Sequence, residues 1–297
     1  MARTLAAAAV RAEHPGALGD WWQMAKPRLN LLVLLSALAG YALAPEHGTP
    51  ARLAPFALGV WLLAAAAAML NMWMEREGDA LMERTRHRPL AAGRLHPRAV
   101  FWAGLAVSLA ALLLLAESAG PLCAALGLAT WASYLLVYTP LKRVTSLAVL
   151  AGAVPGALPP VLGWVAGGGS LDGGALALFC FLFLWQIPHF LSIAALYGEE
   201  YRKAGIKVLG LEYGPAAAGR SMVLYAAGLL PVAVWFRGLG IGGPWSLLLT
   251  LALTFAFMAA ALWAAWRPSR GSARGLLLAS VTYQPLFLLA LILGNRP

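Results

Sequence analysis

The stretch NMWMEREGDALMERTRHRPL combines acidic, amide and basic side chains at spacings suited to a metal and a phosphate. Asn71, Glu75 and Asp79 follow one another at intervals of four residues, so on an α-helix they share one face. Their oxygens are hard ligands of the kind that Mg²⁺ prefers, usually together with substrate phosphates. Arg84 and Arg88 follow, and a planar guanidinium binds two phosphate oxygens at once. The stretch predicts a diphosphate site, with a solvated charged loop as the alternative.

Two further segments place polar side chains next to the ends of apolar runs. Tyr138 and Lys142 are four residues apart in YTPLKR, where the lysine is either a phosphate contact or a charge that orients the chain. The segment EEYRKAGIKVLG brings Glu199, Glu200 and Lys203 to the end of another run. Two acid-rich helix ends and a lysine, facing one cavity, would hold a metal–diphosphate complex.

The elements that must position these residues are membrane spans. The chain of 297 residues is 61% hydrophobic and 11% charged, whereas soluble domains carry about 25% charged residues. Crossing a bilayer takes roughly 20 apolar residues. Nine stretches without Asp, Glu, Lys or Arg are candidates: 29–45, 53–74, 99–116, 118–141, 144–171, 173–198, 221–236, 238–266 and 275–295. We therefore predict an all-α integral membrane protein with nine transmembrane helices, in which spans three and four, and eight and nine, form tight hairpins.

The basic residues are distributed unevenly over the connections between these spans. All but three of the 22 lysines and arginines lie on one alternating set, the exceptions being Arg52, Arg237 and Arg296. The positive-inside rule places that set, including the N-terminus, in the cytoplasm and the C-terminus outside. Residues 1–25 are then a cytoplasmic segment and residues 26–297 a single polytopic domain. Basic charge confined to short loops favours anionic lipid or substrate over nucleic acid.

The fifth and sixth spans contain unusual residues for lipid-embedded helices. Pro155, Pro159 and Pro160 either kink the fifth helix for packing or line a cavity. Gln186 and His189 are polar residues of the sixth span, in WQIPHF. Polar groups at that depth favour a functional role, with hydrogen bonding between helices as the alternative.

These segments together resemble the UbiA-type intramembrane prenyltransferases, and within them the haem-farnesylating branch, the protohaem IX farnesyltransferases (haem O synthases). The resemblance covers nearly the whole chain, and MERTRHRPL, GALPPVLGW and WQIPHF are the segments typical of the haem branch. The family's first motif usually reads Asn-x-x-x-Asp-x-Asp-x-Asp. Here Glu75 and Glu77 replace two of its aspartates, and Glu200 stands for an aspartate in the second acidic motif.

The resemblance implies a helical bundle around a central cavity in a bacterial plasma membrane, with the active-site loops cytoplasmic. Farnesyl would pass from farnesyl diphosphate to the vinyl group of haem b, with addition of water, to give haem O and diphosphate. Mg²⁺ is the implied cofactor, haem b a substrate, and haem A synthase the suggested protein partner. The alternatives are a related prenyltransferase acting on a quinone precursor or chlorophyllide and, more remotely, a secondary transporter with similarly broken helices.

The resemblance also implies roles for individual residues. The metal ligands would come from Asn71, Glu75, Asp79, Glu199 and Glu200. The diphosphate contacts would be Arg84, Arg88, Lys142 and Lys203, while Tyr138 would orient phosphate or shield the farnesyl cation. The haem contacts would be His189 as an axial ligand, Trp185, Gln186, Lys26 and Arg28, of which the last two are alternatively charges that orient the chain.

Overall fold

The computed structural model describes residues 16–46 and 50–295, and these residues form helices joined by turns. The helices are α1 (Ala17–Met24), α2 (Pro27–Leu43), α3 (Pro50–Ala80), α4 (Pro97–Ala132), α5 (Thr139–Leu141), α6 (Ala148–Ala166), α7 (Gly173–Lys203), α8 (Leu209–Glu212), α9 (Gly214–Ala227), α10 (Leu229–Gly238), α11 (Pro244–Trp266) and α12 (Arg270–Gly294). A π-helix, Ser133–Tyr138, joins α4 to α5. Most of the predicted N-terminal segment 1–25, and Arg296, lie outside the described residues.

Seven helical stretches of the described chain are long and apolar enough to cross a membrane, and the shorter α2 coincides with the predicted first span. The protein is therefore an all-α, multi-pass integral membrane protein, as predicted. Two predicted boundaries need correction: the seventh span belongs to α9 and α10, which run together from Gly214 to Gly238, and the eighth begins only at Pro244. The number of crossings and the sides of the termini stay predictions.

One of the seven stretches, residues 97–141, contains a reversal of the chain. Gly120 has φ 86° and ψ 171°, a conformation that glycine adopts without the cost of a side chain. A Cβ added at Gly127 would lie 3.1 Å from Leu115 Cδ1. On a straight helix those residues would be about 18 Å apart, at 1.5 Å per residue. The two halves of α4 therefore pack against each other, in agreement with the predicted hairpin.

Helices α2 and α6 touch at backbone level. A Cβ added at Gly40 would lie 1.9 Å from Pro160 O, and one added at Gly163 would lie 1.8 Å from Ala37 O. Small residues at such positions let membrane helices approach closely, which is a main source of their association in lipid. The prolines of α6 are buried within a continuous helix, so the structure favours their packing role over a cavity-lining one.

Two helices continue past the predicted spans and carry the acidic residues with them. Helix α3 has 31 residues, or about 46 Å, so it exceeds the ~30 Å hydrocarbon core. Its last turns contain Glu75 and Asp79, and the last turn of α7 contains Glu200. The loop after α3 contacts Glu200 through the backbone N–H of Arg84, and three cations contact the last turns of α3. We call this end of the bundle the charged end: Lys26, Asn71, Glu75, Asp79, Arg88, Lys142 and Glu200.

Helix α1 packs against this same end. Asp20 is 5% exposed and accepts a hydrogen bond from Arg94 Nε at 3.0 Å. Met24 lies in an apolar cluster with Met69 and Met72 of α3. The residues of α1 thereby close the bundle beside the acidic turns of α3.

Candidate active site

Helix α3 presents the three predicted metal-binding side chains on one buried face. Asn71 and Asp79 are each 2% exposed, and Glu75 is 9% exposed. Glu77, which lies between them in sequence, is largely exposed and pairs with Arg76 at 3.1 Å. Because a helix repeats every 3.6 residues, the four-residue spacing turns these residues inward and Glu77 outward.

Each of the three buried residues receives one cation from a different part of the chain. The contacts are Lys26 Nζ to Asn71 Oδ1 at 3.3 Å, the Lys142–Glu75 ion pair, and Arg88 Nη1 to Asp79 Oδ2 at 2.7 Å. Buried charges are costly unless they are paired, so these pairs explain how two carboxylates remain at a buried site. Three hard oxygen donors and three cations thus face one another at the charged end.

Lys26 reaches this site through an unusual backbone conformation. It has φ 45° and ψ 57°, and it is the only non-glycine among the described residues with positive φ. Such a conformation costs roughly 1–3 kcal/mol and typically occurs at functional positions. Asn30 donates a hydrogen bond to the carbonyl of Ala25 and so holds the turn. Burial, with the nearby Arg88 charge, lowers the pKa of Lys26 to about 8, against the opposing effect of Glu75.

The loop after α3 separates the two predicted phosphate-binding arginines. Thr85 Oγ1 donates to the carbonyl of Asp79 at 2.8 Å, so the chain folds back over the end of α3. Arg88 thereby returns to Asp79. Arg84 instead contacts α7, since its backbone N–H donates to Glu200 Oε2 at 3.1 Å and its guanidinium lies 5.3 Å from the centre of the Tyr197 ring.

The second acidic segment contributes one of its two glutamates to these contacts. Glu200 is partly buried and bound to the backbone of Arg84. Glu199 is exposed and pairs with Arg202 at 2.7 Å, and Lys203 is exposed as well. The structure therefore brings Glu200 to the charged end and leaves Glu199 and Lys203 at the surface.

Tyr138 stands beside these ion pairs because of the π-helix. Its ring stacks on Tyr134 with centroids 5.8 Å apart, and Lys142 Nζ lies 5.6 Å from its centre. A Cβ added at Gly152 would lie only 2.6 Å from the Tyr138 ring, so a glycine is needed there. π-helical turns often mark functional sites, but the sequence carried no signal for this one, and Tyr134 was not predicted.

Arg143 is a further basic residue that the sequence did not single out. A Cβ added at Gly78, between Glu75 and Asp79, would lie 3.1 Å from Arg143 Nη2. The guanidinium thus covers the end of α3 directly over the acidic turn, and the residue is exposed. Its proximity to Lys142 in sequence was the only available signal.

The predicted haem-contact residues lie elsewhere on α7, against α12. His189 Nδ1 is 2.7 Å from Ser280 Oγ, and Ser280 Oγ donates its single proton to the carbonyl of Leu277 at 2.6 Å. The tautomer of His189 that satisfies both contacts carries its proton on Nδ1, which leaves the lone pair on Nε2. Trp185 stacks on the imidazole with centroids 5.1 Å apart and donates Nε1–H to the carbonyl of Ser280 at 2.8 Å.

The other residues that were predicted to contact haem, Gln186, Arg28 and Lys26, have different surroundings. Gln186 is 4% exposed, and its amide nitrogen donates to the carbonyls of Ala153 and Leu182 at 3.2 and 2.8 Å. Its side chain therefore joins α6 to α7. Arg28 is exposed, and Lys26 belongs to the charged end.

Two cavities lie beside α7 near the charged end. One, of about 540 Å³, is lined by α7, α9, α11 and α12, and includes Glu200. The other, of about 200 Å³, includes Tyr138, Lys142 and Tyr201. Leu191 and Ala194 of α7 line both cavities. The single central cavity expected from the sequence stays a prediction.

The oxygen atoms of the buried α3 face are chemically suited to a hard divalent cation. Among residues 16–46 and 50–295, no three His, Cys, Asp or Glu side chains converge as a metal site. The available donors are instead one amide oxygen, on Asn71, and the carboxylates of Glu75 and Asp79, each held by a cation. Mg²⁺ needs few protein ligands when phosphate oxygens complete its shell, so these residues suit a metal that arrives with a diphosphate.

A helical membrane bundle with a buried Asn–Glu–Asp face and converging cations is the arrangement expected of an intramembrane enzyme that acts on a diphosphate. The chain matches the model of the UbiA prenyltransferase family over residues 33–291, and it belongs to that family. A protein of Anaeromyxobacter sp. (strain Fw109-5) named protoheme IX farnesyltransferase is 42% identical over 296 residues, covering 99% of this chain and 100% of the relative.

Solved structures share the fold at low sequence identity. A digeranylgeranylglyceryl phosphate synthase superposes with a TM-score of 0.78 at 16% identity, covering 94% of this chain and 98% of that one. A UbiA homologue from Archaeoglobus fulgidus bound to DMAPP and Mg²⁺ gives a TM-score of 0.68 at 17% identity, covering 92% and 99%. These similarities establish the fold.

Proposed function

We propose that this protein transfers the farnesyl group of farnesyl diphosphate to a vinyl group of haem b, giving haem O and diphosphate. The observation that carries the proposal is the buried Asn71–Glu75–Asp79 face with its three cations, in a chain 42% identical over nearly its whole length to a protoheme IX farnesyltransferase. The prenyltransferase class follows from the family, and the acceptor from the name of that relative.

Asn71, Glu75 and Asp79 hold Mg²⁺ in this proposal, with Glu200 as the contribution of the second acidic segment. The metal, when bound, neutralises the diphosphate so that it leaves more readily. The Archaeoglobus homologue with DMAPP and Mg²⁺ supports the choice of ion.

The cations at the charged end exchange partners when the diphosphate binds. Lys142 and Arg88 now neutralise Glu75 and Asp79, and both lie where they can turn to phosphate oxygens instead. Lys26, Arg84 and the exposed Arg143 add positive charge at the same place. As the allylic C–O bond breaks, its electron pair moves to the diphosphate, and preorganised cations stabilise that developing charge. Lys203 and Glu199 have weaker support, since both are exposed.

In this scheme Tyr134 and Tyr138 shield the farnesyl cation from premature reaction with water. Aromatic faces attract a nearby cation and exclude water, and the stacked pair lies next to Lys142. The vinyl group of haem b supplies the electron pair for the new C–C bond. Water then adds to the resulting cation beside the porphyrin and releases one proton.

His189 is the proposed axial contact with the haem iron. Its Nδ1–H is committed to Ser280, so Nε2 carries the lone pair that an iron ligand needs. Trp185 fixes the ring from one face. Gln186 and Arg28 stay as weaker haem candidates, and Lys26 moves from the haem set to the diphosphate set.

The reversal at Gly120 supports nine crossings. It divides residues 97–141 into two passes, and α2 supplies one more beyond the other six stretches. With the basic loops in the cytoplasm, the charged end, the N-terminus and residues 1–25 are cytoplasmic in a bacterial plasma membrane. Residues 26–297 form one domain. Haem A synthase is the proposed acceptor of the product.

The test uses the purified protein in lipid nanodiscs with farnesyl diphosphate, haem b and Mg²⁺. We expect a farnesylated haem identified by mass spectrometry, absent when Mg²⁺ is chelated. A protein that leaves haem b unchanged but prenylates a quinone precursor would refute the acceptor. Uptake of the diphosphate into sealed vesicles without any transfer would indicate a transporter.

A further inference from the structure

We propose that Thr139 is a positioning residue that fixes the amide of Asn71 with its oxygen towards the cations and the metal. The proposal rests on the proposed function only in taking Asn71 as a metal ligand. Thr139 is 4% exposed and belongs to α5, which is distant in sequence from the acidic helix that it contacts.

The hydroxyl group of Thr139 can act on Asn71 only as an acceptor. Its proton is donated to the carbonyl of Tyr134 at 2.8 Å. Since a hydroxyl has one proton, the remaining contact, from Asn71 Nδ2 at 3.2 Å, must be donated by the amide. The other end of the amide, Oδ1, is then the atom that faces Lys26 Nζ at 3.3 Å.

The π-helix makes this arrangement possible. Thr130, in regular helix, bonds through Oγ1 to the carbonyl four residues earlier, that of Leu126. Thr139 instead bonds the carbonyl five residues earlier, because the wider π turn of Ser133–Tyr138 carries Tyr134 O there. The same carbonyl also accepts the backbone N–H of Thr139, so two hydrogen bonds tie Thr139 to Tyr134.

The orientation decides what the amide can bind. Oδ1 has lone pairs for a hard cation, whereas Nδ2 has only hydrogens to offer. Asn71 is 2% exposed, so removing the Thr139 hydroxyl leaves its amide nitrogen without this acceptor in a buried place, which is energetically costly. The amide could then rotate and turn its N–H groups towards the metal.

The experiment measures Mn²⁺ binding by electron paramagnetic resonance, in nanodiscs with a non-hydrolysable farnesyl thiodiphosphate. Thr139→Val keeps the shape and removes the hydroxyl, Thr139→Ser keeps the hydroxyl, and Thr130→Val is the matched control in the neighbouring helix. We expect roughly a 10- to 100-fold loss of Mn²⁺ affinity in Thr139→Val, the usual range for residues that orient a ligand. Thr139→Ser and Thr130→Val should bind as the wild type does.

The Mg²⁺ dependence of the transfer rate distinguishes a positioning role of Thr139 from a general loss of structure. Thr139→Val should need more Mg²⁺ for half-maximal rate, with a kcat at saturating Mg²⁺ close to that of the wild type. In an Asn71→Ala background the valine should cause no further loss of Mn²⁺ affinity, because contacting residues couple in a double-mutant cycle. Thr139→Ala replaces the valine variant if the latter does not fold.

Wild-type Mn²⁺ affinity in Thr139→Val, or an equal loss in the Asn71→Ala background, would overturn the proposal. If Mn²⁺ binding depends on Thr139 but no farnesylated haem forms, the reaction assignment fails and the positioning role stands. If the wild type itself binds no Mn²⁺ with the analogue, both fail.

Discussion

The charged end and the His189 region, which comprises Trp185, His189 and Ser280, are built from different kinds of polar contact. At the charged end, Glu75 and Asp79 form ion pairs with Lys142 and Arg88. The His189 region uses neutral hydrogen bonds and ring stacking.

The difference matches the proposed substrates. A diphosphate brings charge that cations must meet, and cations already paired with carboxylates can be kept in a buried site until it arrives. A porphyrin brings a large apolar ring and an iron, for which an oriented neutral imidazole is the suitable partner. His189 and Glu200 both belong to α7, which is kinked at Tyr197 between them (φ −121°, ψ 18°), so this one helical segment connects the two regions.

Asp79→Asn should have the largest effect, since it removes the carboxylate charge and leaves Arg88 without its partner. The farnesyl transfer rate should fall roughly 10²–10³-fold, as when one preorganised electrostatic group is lost. Transfer assays with Mg²⁺ varied measure this, with the exposed Glu77→Gln as the control. A rate for Asp79→Asn equal to that of Glu77→Gln would remove Asp79 from the site.

Lys142→Met should lower kcat/KM for farnesyl diphosphate about 100-fold, because a leaving diphosphate loses one cation. Initial rates at varied farnesyl diphosphate give the value, and haem affinity should not change. The exposed Lys203→Met is the matched control. An equal loss of activity in the two variants would contradict the prediction that Lys142, and not the exposed Lys203, stabilises the leaving diphosphate.

Ser280→Ala should act on the other region alone. Removing the acceptor of the His189 Nδ1–H should weaken haem binding about 10-fold, as for other groups that orient a histidine ligand. Spectroscopic titration with haem b measures this, while the KM for farnesyl diphosphate stays constant. Thr282→Val, on the exposed side of α12, serves as control. A raised KM for farnesyl diphosphate would mean that the two regions are not separate.

Lys26→Gly and Lys26→Ala should differ in stability but not in activity. Both lose the amine that contacts Asn71, whereas only glycine adopts positive φ freely. The glycine variant should be the more stable by about 1 kcal/mol, as expected for relief of left-handed strain. Thermal unfolding in nanodiscs compares them, and equal midpoints would contradict the strain at Lys26.

The sequence predicted the helical membrane class and the inward face of Asn71, Glu75 and Asp79, because both follow from local periodicity. It also predicted the hairpin of spans three and four, since only one charged residue, Glu117, separates the apolar stretches 99–116 and 118–141. Local sequence patterns are sufficient to predict such features.

The partners of that face could not be predicted in the same way. Lys26 lies 45 residues before Asn71 and reaches it only through a left-handed turn. Thr139 depends on a π-helix that has no sequence signature. Arg84 and Arg88 share a helical spacing, but a folded loop sends them to different helices. These are tertiary effects, and residue spacing carries no information about them.

The most direct measurement is the binding of labelled farnesyl diphosphate, without haem, to the wild type, Asp79→Asn and His189→Ala in nanodiscs. We predict Mg²⁺-dependent binding in the wild type and in His189→Ala, and its loss in Asp79→Asn. Binding that survives in Asp79→Asn but disappears in His189→Ala would contradict the assignment of the diphosphate to the charged end.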